Sequence, residues 1–361
     1  MASSDPFAWL GLLKWSLAYS DGTRPSSEEF VPMSPEDKAF LEKVMKEGII
    51  NENERMKTIL KDVTAQMEEW RINKYTEEEA ERVEDLLQEV RDIVEQIDYA
   101  RAFAAMKGAV FLLGCVQERG SMPKSTRVMC LGIMATMCQH NPPVQKELLE
   151  LGSIRILSDL FFATHEDALV EDENGILRSR IIQAISANVR SHDLAESVFC
   201  QLDQAPRLLA MALGVADTSN DGASVTSQQT TPDLVRKRAL FFLRALVTSD
   251  TCTRERMRRF EACIVHAIDS ILLLAGNVIN SELVEMTLAM VEQILDQHVS
   301  VNAILARKDP IAAAAVRRVA AVRKLTGEEL EFAKVELGCW ERILTLLARA
   351  TPDTEEQLVE T

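Results

Sequence analysis

The segment "NSELVEMTLAMVEQILDQH" carries two apolar stripes where a surface helix needs one. Leu283, Met286, Met290 and Ile294 follow one another at helical spacing, and Val284, Leu288, Val291 and Leu295 form a second row beside them. A helix patterned this way must be covered on two sides. The same apolar density recurs in "STRVMCLGIMATMCQHN", "NGILRSRIIQAISANVRSH" and "PDLVRKRALFFLRALVTSD". After each comes a polar turn and two shorter helical patterns, "PPVQKELLELGSIRILSDLFF", "DLAESVFCQLDQAPRLLAMAL" and "TRERMRRFEACIVHAIDSILLLA". Repeated helices that each need two neighbours are satisfied by stacking copies of one three-helix unit side by side.

The unit ends recur at Asp98, His140, His192, Asp250 and His298, roughly 40 to 60 residues apart, against ~40–47 for armadillo and related repeats. The excess lies in two polar insertions, "THEDALVEDENG" and "ADTSNDGASVTSQQTT", each before the third helix of its unit. A solenoid tolerates such insertions on its surface. Strict apolar-polar alternation hardly occurs, and only 14 glycines and 11 prolines interrupt 361 residues, a composition of helix formers with few breakers. The expected fold is all-α: an armadillo-like helical solenoid of about four three-helix repeats with helical caps. Thr76 and Glu79 form a capping box at the head of "TEEEAERVEDLLQEVRDIVEQI". The expected organisation is a flexible N-terminal arm over 1–26, an N-terminal helical cap over 27–75, the repeat domain over 76–350 and an acidic tail over 351–361.

The arm contains "FAWLGLLKWSLAYSDG". A helix of about 15 residues spans ~22 Å, short of a ~30 Å hydrocarbon core, and Lys14 divides its apolar run. The acidic, Lys- and Arg-free start "MASSDP" does not suit a secretory leader. Neither a membrane nor a secretory route is expected. Seven cysteines in scattered, mostly apolar settings read as free buried thiols of a reducing compartment, which points to a cytosolic or nuclear location. The formal net charge of −16 makes nucleic acid a poor partner and favours basic protein surfaces in general.

Signatures of catalysis are missing: there is no GxxxxGK, GxGxxG before a helix, HExxH, CxxC or GxSxG. The chain is read as a non-enzyme without metal or cofactor. His140, His192 and His298 recur at the ends of third helices, where an imidazole complements the C-terminal dipole. More informative are cations inside the apolar third helices: Arg178, Arg180 and Arg190 in one, and Arg236, Lys237, Arg238 and Arg244 in the next. Third helices of a solenoid line its concave face and stack their outward side chains into a ladder, which would suit a protein partner with an acidic patch.

Four stretches resemble the armadillo-type nucleotide exchange factors of the seventy-kilodalton heat-shock chaperones, the heat-shock-protein-binding or Fes family. "LLKWSLAYSDG" resembles that family's N-terminal "LLQWSIANS" element, and "MSPEDKAFLEKVM" its cap. "VEQIDYARAFAAMKG" resembles its first repeat, and "EELEFAKVELGCWERIL" its closing helix. The resemblance implies a monomeric co-chaperone whose concave face grips the chaperone's ATPase domain and releases ADP. Carried over residue by residue, it places Asp98, Ala100, Arg190 and Arg238 at the contact, and Asn188, on the same helix as Arg190, is taken as a further contact candidate. Tyr99 stands where the family usually has asparagine. It also implies that Leu12, Leu13, Lys14, Trp15 and Leu17 of the arm enter the chaperone's client groove. A scaffold that binds linear peptides of other proteins is the alternative; peptide-binding armadillo proteins usually repeat Asn and Trp in their third helices, and here Asn188 is present while the later equivalents are the apolar Ala245 and Leu295.

Overall fold

The computed structural model describes residues 35, 36, 39, 51–166, 175–215, 231–273, 280–297 and 300–350. Its described residues form helices and turns without strands. Two compact units are distinguished, Met1–Ile59 and Leu60–Thr361. In the first, the described helical residues are Pro35, Glu36, Ala39 and the start of α1 (Glu52–Ile72).

The second unit continues α1 and adds sixteen α-helices among the described residues. The helix α2 (Glu77–Ile93) opens on the expected capping box: the Glu79 amide donates to Thr76 Oγ1 at 3.3 Å, and the Thr76 amide to Glu79 Oε2 at 3.0 Å. Four triads follow: α3 (Ile97–Ala105), α4 (Gly108–Gln117) and α5 (Lys124–Met137); α6 (Pro142–Glu150), α7 (Ser153–Glu166) and α8 (Ile176–Val189); α9 (Asp193–Gln201), α10 (Ala205–Leu213) and α11 (Asp233–Val247); α12 (Arg254–Arg259), α13 (Glu261–Ala267) and α14 (Ser281–Gln297). A π-helical turn, Ile268–Leu272, extends α13. The C-terminal end is an atypical triad, α15 (Asn302–Leu305), α16 (Lys308–Val322) and α17 (Glu328–Arg349).

Third helices pack on third helices in the order α2, α5, α8, α11, α14 and α17. This is why their sequences lack a polar back: in α8 the buried set runs through Leu177, Ile181, Ile182, Ala184, Ile185 and Val189, on both sides of the helix. Phe103, Phe161, Phe199, Phe242 and Phe260 are fully buried across successive triads, each contributing roughly 1.5–3 kcal/mol of transfer free energy. The turn between α6 and α7 requires a left-handed residue and has Gly152 there, at φ 72°, a conformation that costs glycine little.

Polar side chains tie neighbouring triads together. Asn141 donates to the Ile97 carbonyl and accepts from Arg101 Nε at 3.1 Å. Glu196 on α9 is 4% exposed and pairs at 2.9 Å with Arg256 on α12, 8% exposed. Ser249 and Thr251 hydroxyls donate to the same carboxylate at 2.7 and 2.8 Å. All seven cysteines are free thiols and six are buried; burial pushes Cys138 and Cys263 up to about 12. Among the described residues no single helix is long and apolar enough to cross a membrane; the bent pair α3 and α4 passes a composition test only jointly, across a 75° bend.

His192 corrects one expectation. Its Nδ1 accepts the Ala195 amide at 3.2 Å, so it caps the N-terminus of α9 rather than the C-terminus of α8. The preceding Ser191, at φ 58°, turns the chain and brings the imidazole forward onto the next helix. His140 also takes a left-handed conformation, at φ 50°; His298 lies outside the described residues.

Candidate functional site

The ladder of third helices sorts its cations into two kinds. On α11, Arg236 lies 3.4 Å from Asp233, Lys237 pairs with Glu282 of α14, and Arg244 Nε donates to Gln293 Oε1 at 2.7 Å. Arg178 on α8 is buried. Lys237 and Arg244 tie α11 to α14, and Arg236 is held within its own helix. Arg180, Arg190 and Arg238, with Arg91 of α2, make no ion pair among the described residues. Arg180 finds only the uncharged Gln183, donating to its Oε1 at 2.7 Å.

The four arginines feel one another. Desolvation lowers the Arg180 pKa first, followed by the positive charges of Arg91 and Arg238. Arg190 is lowered in the same way, by desolvation and then by Arg238. A row of half-buried, mutually repelling guanidinium groups therefore runs from α2 through α8 to α11. Arg190 stacks at 4.6 Å over the ring of Phe241, which is 41% exposed. Guanidinium over an aromatic face, beside further unpaired cations, is suited to receive carboxylates of a protein surface.

Two cavities open on this row. One, about 320 Å³, lies over α5 between α2 and α8 and is lined by Arg91, Val128, Met129, Gly132, Ile176 and Arg180, among others. The other, about 460 Å³, lies at the ends of α8 and α11 beside Arg190, Glu196, Ser249 and Thr251.

The residues singled out from sequence divide accordingly. Arg190 and Arg238 come together on the third-helix face. Ala100 does not: it is 0% exposed, inside a helix packed on α4, α5 and α6. It offers no surface to a partner, and an arginine there would have to enter the core. Its small size serves helix packing. Asn188 is likewise only 1% exposed, with its Nδ2 donating to Ser153 Oγ at 2.6 Å; the amide joins α8 to α7 and is not presented outward. Asp98 is exposed, 3.7 Å from Arg101, but on a first helix outside the ladder. Leu12, Leu13, Lys14, Trp15 and Leu17 lie outside the described residues.

Sequence reading missed Arg91, Phe241 and Gly132. Arg91 looked like one more charge on a solvated back, and nothing in one helix's pattern says which charges a neighbouring repeat will face. Phe241 had a signal: it sits beside Phe242, and adjacent helical positions cannot both face the same core.

Residues 10–103 match the family model described as "Nucleotide exchange factor Fes1", about a quarter of the chain. No curated protein sequence matches. Among solved structures, a designed armadillo repeat protein is similar at a TM-score of 0.50 and 12% identity, over 78% of this chain and 98% of its own. Two engineered proteins from a structural genomics programme both reach 0.51. One is 13% identical over 83% of this chain and 98% of its own; the other is 12% identical over 86% and 71%. Such identities speak for the fold alone, and the fold is the expected armadillo-like solenoid. The resemblance to the exchange factors is borne out by the Fes1 match, which supports a nucleotide-exchange role in general terms.

Proposed function

We propose that this chain is a co-chaperone that binds the ATPase domain of a seventy-kilodalton heat-shock chaperone through its third-helix face and promotes release of ADP. The observation that carries the reading is the Fes1 match over residues 10–103, which runs into the array whose third helices leave Arg180, Arg190 and Arg238 without acidic partners. The protein makes and breaks no bond in this role. It acts by binding the open, nucleotide-free chaperone more tightly than the ADP-bound one; a difference of ~1–3 kcal/mol weakens ADP binding roughly 5- to 150-fold. The same coupling means that ADP weakens the chain's own hold on the chaperone by an equal factor.

In this reading Leu12, Leu13, Lys14, Trp15 and Leu17 form a tethered segment that occupies the chaperone's client groove, offering leucines around one cation. The protein works as a cytosolic or nuclear monomer. The linear-peptide alternative, already short of repeated asparagines, is weakened further by the buried amide of Asn188.

Stopped-flow release of a fluorescent ADP analogue from a cytosolic chaperone of this class tests the proposal. Acceleration that saturates with added protein is expected; none at saturating protein overturns it. Deleting residues 1–26 is expected to leave ADP release intact and slow client release, and unchanged client release would remove the role given to the arm.

A further inference from the structure

The cavity over α5 has a feature that the fold does not require. Gly132 sits in the middle of α5, where glycine weakens a helix relative to almost any other residue. Its φ is not in the left-handed region. Gly132 is buried, yet a Cβ added to it would meet nothing within 4 Å. The space that a side chain would fill is the cavity of about 320 Å³. Its floor is apolar, with Val128 and Met129 one turn away on α5 and Ile176 of α8, 42% exposed, at its side.

The rim is charged, and its two ends differ. At one end Glu84 of α2 accepts from Thr126 Oγ1 at 3.4 Å, in the first turn of α5, with Lys124 nearby. Arg91 lies seven residues, two turns, further along α2, at the end it shares with Arg180. Arg180 pairs with no carboxylate among the described residues, and Arg91 adds to the positive potential around it. The result is an apolar slot with an anion-seeking end.

We propose that this slot is a specificity pocket that takes an aliphatic side chain of the partner above Gly132, with a carboxylate of the same partner segment held between Arg91 and Arg180. The occupant is an acidic, leucine-type segment of a protein surface, chosen by charge complementarity and by the empty volume at the glycine. Its assignment to the chaperone's ATPase domain rests on the exchange-factor reading; its chemistry does not.

The test uses the full chain, Gly132→Leu and Arg180→Gln. Leucine at 132 raises helix propensity and its Cβ meets no neighbour within 4 Å; thermal midpoints of both variants are compared with wild type, and Arg180→Gln decides should the leucine lower its own. The first probe is a fluorescein-labelled peptide, Glu-Leu-Asp-Leu-Glu, read by anisotropy against its alanine and lysine counterparts. Binding to the wild type is expected, with about tenfold or greater weakening for the alanine peptide, the lysine peptide and both variants. Equal binding by wild type and Gly132→Leu, or no preference over the alanine or lysine peptides, overturns the pocket, as does no binding of the acidic peptide to the wild type. The second readout is ADP release from the chaperone. Acceleration by wild type and Gly132→Leu alike would sink the pocket and leave the exchange-factor reading standing. Peptide binding that both variants weaken, with no acceleration by wild type, would do the reverse.

Discussion

Arginines at the middle of the solenoid and arginines toward its C-terminus have opposite fates. Toward the C-terminus four are paired: Arg307 with Asp269 at 2.9 Å, Arg318 with Glu336 at 2.6 Å, Arg323 with Glu341 at 2.8 Å and Arg342 with Glu292 at 2.5 Å. Hydrogen bonds donated to those carboxylates push Arg307, Arg318 and Arg342 up. At the third helix of the second triad desolvation and like charge push Arg180 and Arg190 down. Those four C-terminal arginines are spent on the fold, whereas Arg180 and Arg190 hold their charge unmatched, which a stability-only design would avoid. Unmatched cations beside exposed Phe241 and an empty slot are what a partner-binding face requires.

The contrast can be broken at its strongest contact. Glu196→Ala leaves Arg256 buried without its carboxylate and is expected to cost about 3–5 kcal/mol, read from denaturant unfolding. A loss under about 1 kcal/mol would mean that paired arginines contribute no more to the fold than unpaired ones. Next is the unmatched set: Arg180→Glu with Arg238→Glu should weaken chaperone binding about 30- to 100-fold in a titration, while the thermal midpoint holds or rises as repulsion is relieved. Unfolding in that variant would place these arginines among the structural ones. Glu336→Gln takes one charge from a half-buried pair whose carboxylate also accepts from Trp340 Nε1 at 3.1 Å, and about 1 kcal/mol is expected. Arg342→Gln, at an exposed pair, should change stability by no more than about 0.5 kcal/mol.

The smallest effect is a pH dependence. The Thr76 backbone amide, then the Trp70 indole, hold the Glu79 carboxylate below its ordinary value. A depressed folded pKa contributes stability above the unfolded value near 4.5, lost as the pH falls through the folded value. Glu79→Gln should therefore unfold more readily than wild type at neutral pH, and the two should converge in acid. A constant gap across that range would show that the capping carboxylate's charge is irrelevant.

The repeat architecture was legible because doubly apolar helices allow few arrangements, and the capping box of α2 follows from two residues at a fixed offset. The site was legible only in part. That cations interrupt α8 and α11 is visible in their sequences; which of them face a neighbour's carboxylate depends on residues 40 to 60 positions away, such as Glu282 opposite Lys237. Ala100 and Asn188 misled for a related reason: a small or amide side chain fits a contact face and a helix junction equally well. Only packing distinguishes them.

Gln145 on α6 donates through Nε2 to the carbonyls of Ala187 and Arg190 at 2.9 Å and of Asn188 at 3.2 Å. One amide thus clamps the chain where α8 ends and Arg190 begins. The guanidinium is offered from a main chain already fixed and rests on a ring already in place, so an arriving partner has little left to order. Cutting that clamp, as in Gln145→Ala, would act as slack in a lever, reducing affinity through a residue that the partner never touches.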